Sequence, residues 1–169
     1  MVSVHQVPDP SVRSAALFAV LSGGWIAGTV DIGSACLINS LPPHVILQAI
    51  ASGVLGARAF HDGLGAALAG LLLQWAMALV IAGVYVTAIL RWPSLGRHPL
   101  GGGSAYGIVI YGVMNYLVVP LSAAPFGPPV QPLKRLENLL AMVLFGLIVA
   151  VAAQLARLRE SARRMAPGA

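Results

Sequence analysis

The chain has 169 residues, of which 58% are hydrophobic and only 9% are charged. A soluble domain normally carries about 25% charged residues, so this composition excludes an ordinary soluble protein and favours an integral membrane protein. The net charge of +5 comes from Lys and Arg spread over several loops, a pattern that more often sets membrane topology than binds nucleic acid. We therefore expect a lipid bilayer, and no nucleic acid, as the partner of this chain.

Four stretches of the chain contain the roughly 20 apolar residues that a membrane-spanning helix needs. Each is predicted to form one transmembrane helix, and the four cover residues 14–38, 63–90, 101–122 and 136–156. The fold class expected is an all-α membrane helical bundle, with residues 1–169 forming a single membrane domain. Residues 157–169 continue the last span as a basic tail.

Residues 43–60 lie between the first two spans, and their place is less obvious. Small or polar residues recur there at intervals of four and so share one helix face: His44, Gln48, Ser52 and Gly56. This pattern favours an amphipathic helix at the membrane surface. A short fifth span is the alternative interpretation.

The distribution of positive charge decides between these topologies. With four spans and a cytoplasmic N-terminus, most Lys and Arg residues lie in the cytoplasm: Arg13, Arg91, Arg97, Arg157, Arg159, Arg163 and Arg164. The opposite side keeps Arg58, Lys134 and Arg135. A fifth span would move the basic tail outside and reverse the balance. The positive-inside rule therefore favours four spans with both termini in the cytoplasm.

Asp31 is an acidic residue inside the first predicted span. A charged side chain at the centre of a bilayer costs roughly 2.5–3.5 kcal/mol on insertion scales, so Asp31 is expected to face protein or water. Gly24 and Gly28 share its helix face, and small residues on such a face let a neighbouring helix approach closely. The sequence thus predicts that Asp31 points into the bundle and that Gly24 and Gly28 are helix-packing residues.

The second and third spans carry similar stripes of small and polar residues. Gln74 belongs to such a stripe in the second span, and the stripe of the third span contains Gly103, Gly107, Tyr111 and Asn115. At a rise of 1.5 Å per residue, Asp31 and Asn115 lie about 10 Å, and Gln74 about 16 Å, below the same membrane surface. Gly103 and Gly107 are predicted to pack against a helix. The polar members are predicted to form one intramembrane cluster: Asp31, Gln74, Tyr111 and Asn115.

Two interpretations of this cluster stay open. In the structural one, the amides of Gln74 and Asn115 donate hydrogen bonds to Asp31 and fix the register of the helices. In the functional one, Asp31 binds a proton, a cation or a polar group of a ligand. The first hypothesis for function is accordingly a small transport or proton/ion-handling protein, alone or as a homo-oligomer. The second is an accessory or scaffold subunit of a larger membrane complex.

No catalytic arrangement is visible in the sequence. It contains neither a serine–histidine–acid nor a cysteine–histidine pattern, so we expect no enzymatic activity. None of the four histidines lies in the middle of a span or forms a close pair on one helix, so no metal or other cofactor is expected. Cys36 is the only cysteine, which excludes an internal disulfide.

Three stretches together suggest a family. They are AGTVDIGSA at 27–35, PP-x-x-x-LQAIASGVLGARAF at 42–60, and YGVMNYLVVPLSAAP at 111–125. The chain resembles, over about residues 24–150, a family of small bacterial inner-membrane proteins with no assigned molecular function. The third span has a fainter likeness to a bacterial inner-membrane protein linked to acid resistance.

The family resemblance implies a four-span helical bundle in the bacterial inner membrane. It also implies that the regions around Asp31 and around Asn115-Tyr116 are characteristic features. An HF pair is common in that family where Gln74-Trp75 stands here, so the resemblance does not carry a proton-relay role to this position.

Overall fold

The computed structural model describes residues 10–92, 94–127 and 129–165, and within these ranges it contains helices and no strand. Five helices follow one another in the described chain: α1 (Pro10–Asn39), α2 (Pro43–Leu55), α3 (Gly63–Arg91), α4 (Pro99–Leu121) and α5 (Pro132–Met165). A 3-10 segment, Gly56–Phe60, extends α2. The all-α fold class predicted from composition is confirmed.

Four of these helices, α1, α3, α4 and α5, are long and apolar enough to cross a membrane. Large apolar side chains lie exposed on their outer faces, as expected where lipid replaces water: Leu17, Leu68, Leu72, Ile108 and Leu140. α2 has 13 residues, which is about 20 Å of helix and too short for a hydrocarbon core of about 30 Å. The fold is therefore a bundle of four spans with one short helix between the first two.

Prolines define where two of the spans begin. The apolar pattern places their starts at residues 14 and 136, whereas α1 begins at Pro10 and α5 at Pro132. Proline is favourable in the first turn of a helix, because its missing N–H would have no partner there. At the other end α5 continues to Met165, so the described part of the basic tail is a helical extension of the last span.

The first span packs against α3 on one side and α5 on the other. Gly24 and Gly28 lie at the contact with α3, as predicted for helix-packing residues. A Cβ added at Gly28 would lie 2.8 Å from the Cβ of Ala78, and one at Gly24 would lie 3.1 Å from the Cα of Leu79. The two backbones can approach this closely only because both positions lack a side chain.

The third span packs along α5, again through glycine. A Cβ added at Gly103 would lie 2.8 Å from the Cβ of Ala150, and one at Gly107 would lie 2.6 Å from the Cα of Val143. Gly146 of α5 lies directly opposite these two glycines, so the contact lacks side chains on both helices. The predicted packing face at Gly103 and Gly107 thus lies against the fourth span.

The short helix α2 packs against α3 with its polar side. Gln48 and Ser52 are both buried, and the Nε2 of Gln48 donates a hydrogen bond to the carbonyl of Gly63 at 3.0 Å. The backbone N–H of Ala123, after the end of α4, donates to the carbonyl of Gly53 at 2.9 Å. Gln48 and Ser52 of the stripe predicted from the spacing thus face protein, whereas His44 is exposed. α2 joins the start of α3 to the end of α4.

Side chains of α4 and α5 bond to α3 in the half of the bundle where α1 begins. The Tyr106 hydroxyl of α4 donates to the carbonyl of Ile81 at 2.6 Å, and its ring centroid lies 5.0 Å from that of Tyr85. The Nη2 of Arg157 donates to the carbonyl of Ile89 at 3.0 Å. These contacts link α4 and α5 to α3 at the end where α1 begins.

Glycine packing along α4 can be tested with two matched alanine substitutions. We expect Gly107→Ala to lower the free energy of unfolding by about 1–3 kcal/mol, because the added methyl meets the backbone of α5. A Cβ at Gly112 meets nothing within 4 Å, so Gly112→Ala is expected to be neutral or to stabilise by up to about 1 kcal/mol. Denaturant titration of both variants in detergent micelles measures the difference, and equal losses of stability would contradict this packing.

Candidate functional site

Asp31 and Gln74 meet between the first two spans. The Nε2 of Gln74 donates a hydrogen bond to Oδ2 of Asp31 at 2.8 Å. Gln74 is buried and Asp31 is half-buried, so the carboxyl group is turned into the bundle. The structure thus brings together the first two members of the predicted polar cluster.

A second set of contacts fixes the register of α1 and α3 beside this pair. The ring centroids of Trp25 and Trp75 lie 4.3 Å apart, and the Trp75 Nε1 donates a hydrogen bond to the Thr29 hydroxyl at 3.3 Å. These contacts were not predicted from the sequence. The available signals were the spacing of four between Trp25 and Thr29 and the position of Trp75 directly after Gln74.

Tyr111 and Asn115 do not join the pair, which corrects the predicted four-residue cluster. The side-chain amide of Asn115 donates to the carbonyl of Tyr111 at 2.9 Å, within its own helix. Neither residue is among those that line the space beside Asp31. The cluster therefore consists of Asp31 and Gln74.

Two features of α4 explain this correction. First, the stripe that contains Tyr111 begins at Gly103 and Gly107, and those glycines face α5 instead of α1 or α3. Second, Met114–Val118 forms a π-helical turn, in which the Val119 N–H bonds the carbonyl of Met114. Pro120 follows this turn, and a proline inside a helix removes one backbone hydrogen bond and clashes with the carbonyl four residues earlier. The turn changes which side chains of α4 face the cleft.

A cleft of about 400 Å³ lies beside the Asp31–Gln74 pair. Its walls come from α1, α2, α3, the end of α4 and the loop that follows. Most of the lining is apolar, and its larger side chains include Ile32, Ile46, Ile50, Met77, Met114 and Phe126. Small-molecule sites typically occupy about 300–1,000 Å³ and combine an apolar lining with a few polar groups, which this cleft also does.

The polar groups of the lining differ in their availability. Asn39 and Ser122 donate to carbonyls of their own helices, Ala35 at 2.9 Å and Val119 at 2.8 Å. Asp31 bonds Gln74 through Oδ2, and no fully buried side-chain oxygen or nitrogen in the described residues lacks a partner. The other carboxylate oxygen, Oδ1, is therefore not fully buried, and Asp31 is one of the residues that line the cleft.

The electrostatic character of the cleft follows from its one acid. No Lys, Arg or His occurs among the described residues that line it. Within the described part of the chain, no group of three His, Cys, Asp or Glu side chains could hold a metal ion. The arrangement suits a proton or a single positively charged group better than an anion or a coordinated metal.

Comparison of the chain with protein families, with curated proteins and with solved structures finds no match. The resemblance to small bacterial inner-membrane proteins therefore stays a prediction.

The Asp31–Gln74 contact can be measured with a double-mutant cycle. We expect Asp31→Ala and Gln74→Ala to be coupled by about 0.6–1.7 kcal/mol in unfolding free energy, the range found for hydrogen bonds between membrane helices. Asn115→Ala is the matched control, and it should combine additively with Asp31→Ala because its amide bonds within α4. Equal coupling of Asp31 to Asn115 and to Gln74 would restore the larger cluster and contradict the geometry described above.

Proposed function

We propose that this protein is a small integral-membrane transport or proton/ion-handling protein in which Asp31 takes up and releases a proton or cation. The observation that carries the proposal is a carboxyl group at the wall of an intramembrane cleft whose described lining residues include no Lys, Arg or His. A permanent ion pair would hold the carboxylate in one state. Without one, the group can exchange between a proton and a cation, as intramembrane acids in transporters do.

The energetics favour this role over a purely structural one. A hydrogen bond between membrane helices contributes about 0.6 kcal/mol on average, whereas placing a charged acid in a membrane helix costs roughly 2.5–3.5 kcal/mol. An asparagine at position 31 could accept the same bond from Gln74 without the charge. Fixing the register of α1 and α3 therefore does not explain why residue 31 is an acid.

The alternative, an accessory or scaffold subunit, has less support from the geometry. In that hypothesis the small-residue faces serve helix packing, and they would be open to a partner only if no helix of the same chain covered them. Gly24 and Gly28 instead contact α3, and Gly103 and Gly107 contact α5. Purification in mild detergent separates the two hypotheses, because co-purifying subunits support the scaffold, whereas a lone chain or a homo-oligomer supports transport. A symmetric dimer is the commonest homo-oligomer.

We place both termini in the cytoplasm, with the protein in the bacterial inner membrane. Support comes from the arginines at one end of the bundle, where α1 and α4 begin and α3 and α5 end. These residues include Arg13, Arg91, Arg97, Arg157 and Arg159. The positive-inside rule assigns that end to the cytoplasm, which puts α2 and the mouth of the cleft on the outer side.

This orientation predicts the labelling of single cysteines. In a Cys36→Ser background, Ala57→Cys after α2 should react with a membrane-impermeant maleimide on intact cells. Ser161→Cys near the end of α5 should react only after the membrane is permeabilised. Both positions are exposed in the structure, so a difference reports sidedness and not burial. The reverse pattern would place the arginine-rich end outside.

The role of Asp31 predicts the effect of removing its charge on proton flux. Liposomes that contain the purified protein and a pH-sensitive dye should acidify faster than empty liposomes under an imposed gradient. Asp31→Asn should reduce the rate to that of empty liposomes, because an amide cannot bind and release a proton near neutral pH. Asp62→Asn, which removes an exposed acid before α3, is the control and should keep the wild-type rate. An unchanged rate in Asp31→Asn would exclude this proposal.

A further inference from the structure

We propose that the cleft binds an apolar organic cation, a molecule of small-ligand size whose protonated amine meets Asp31. The shape of the site supports a ligand larger than an ion, because its volume of about 400 Å³ far exceeds what a proton or bare cation needs. This binding site rests on the function proposed for Asp31 and specifies the class of molecule that the carboxylate receives.

The chemistry of the walls selects for hydrocarbon. Ca²⁺ and Mg²⁺ prefer several oxygen ligands, often carboxylates, and Asp31 is the one carboxylate among the described lining residues. Met77 and Met114 contribute unbranched thioether side chains that adapt to ligands of different shape. Ile46 and Ile50 of α2 cover the cleft with further apolar surface. The apolar part of a ligand would therefore cover apolar side chains that water hydrates poorly.

The charge of the walls selects for a cation. Asp31 is the only charged residue among the described residues of the lining, and only its Oδ2 is engaged, by the amide of Gln74. Phe126, at 46% exposure, adds an aromatic face, which attracts cations. An anionic ligand would meet an uncompensated acid and no basic group. A neutral ligand would gain only the apolar contacts.

The position of the mouth indicates the route to the acid. Val54 and Phe126 are the exposed members of the described lining, at 69% and 46%, so the cleft opens between the end of α2 and the loop after α4. Toward the arginine-rich end, Tyr106 bonds the carbonyl of Ile81 and its ring contacts that of Tyr85 at a tilt, which joins α3 to α4. A ligand therefore approaches from the side of α2 and reaches Asp31 and Gln74 at the base.

The test uses three probes with the same body and different head groups: 4-phenylbutylamine, 4-phenylbutanol and 4-phenylbutyrate. Binding to the purified protein in lipid nanodiscs is measured by calorimetry at neutral pH, with empty nanodiscs subtracted. We expect the amine to bind at least tenfold more tightly than the alcohol, and the carboxylate to bind more weakly than both. Equal affinity for the amine and the alcohol, or tighter binding of the carboxylate, would overturn the proposal.

Two variants keep the test specific. Asp31→Asn should weaken the amine at least tenfold and leave the alcohol unchanged, whereas unchanged binding of the amine would overturn the proposal. Ala49→Phe, which fills the cleft from α2, should weaken the binding of both the amine and the alcohol, and unaltered binding of both would place the probe elsewhere.

The two proposals can fail separately. If Asp31→Asn abolishes proton flux while the amine does not bind, the proposed function stands and this inference fails. If the amine binds in a way that depends on Asp31 but no proton flux is seen, the binding site stands and the proton-handling function fails.

Discussion

The close approach of α1 and α3 is the constraint on which the candidate site depends. A carboxyl group in a membrane helix must find a polar partner or water, and Asp31 finds Gln74 at 2.8 Å. Gly28 lets the two helices approach closely against Ala78, which brings the side chains of Asp31 and Gln74 within hydrogen-bond reach. The contact between the tilted rings of Trp25 and Trp75 then holds the register at which the acid and the amide meet.

The rest of the bundle places a cleft beside this contact. α4 packs along α5 through glycines and reaches α3 through the side chain of Tyr106 near one end. At the other end the walls of the cleft come from α2, the turn before Pro120 and the following loop. The bond between Ala123 and the carbonyl of Gly53 holds that loop on α2. The cleft thus opens near Val54 and Phe126, whereas Tyr106 links α4 to α3 toward the arginine-rich end.

Much of this organisation could be predicted from the sequence, because hydrophobic length and charge are strong signals in a membrane protein. The four spans, the inward position of Asp31 and its nearness to Gln74 follow from apolar run lengths and from glycines on the same helix face.

The place of Asn115 could not be predicted in the same way. A stripe of small residues indicates that some helix packs there, and the stripe of α4 carries no mark that distinguishes α5 from α1. The π-helical turn before Pro120 also changes which side chains of α4 face the cleft. The polar stripe of α2 was equally ambiguous, since Gln48 can satisfy its amide at the carbonyl of Gly63 as well as in water.

The central claim is that Asp31 is a titratable carboxyl group that contacts both Gln74 and the cleft. Infrared difference spectroscopy between acidic and alkaline pH tests it most directly, because a protonated carboxyl has a carbonyl stretch separate from the amide bands. We expect a band that is absent in Asp31→Asn, shifted in Gln74→Leu and perturbed when an alkylamine is added. A carboxyl band that is identical in the wild type and in Gln74→Leu, and unaffected by the amine, would contradict the contact and the accessibility described for Asp31.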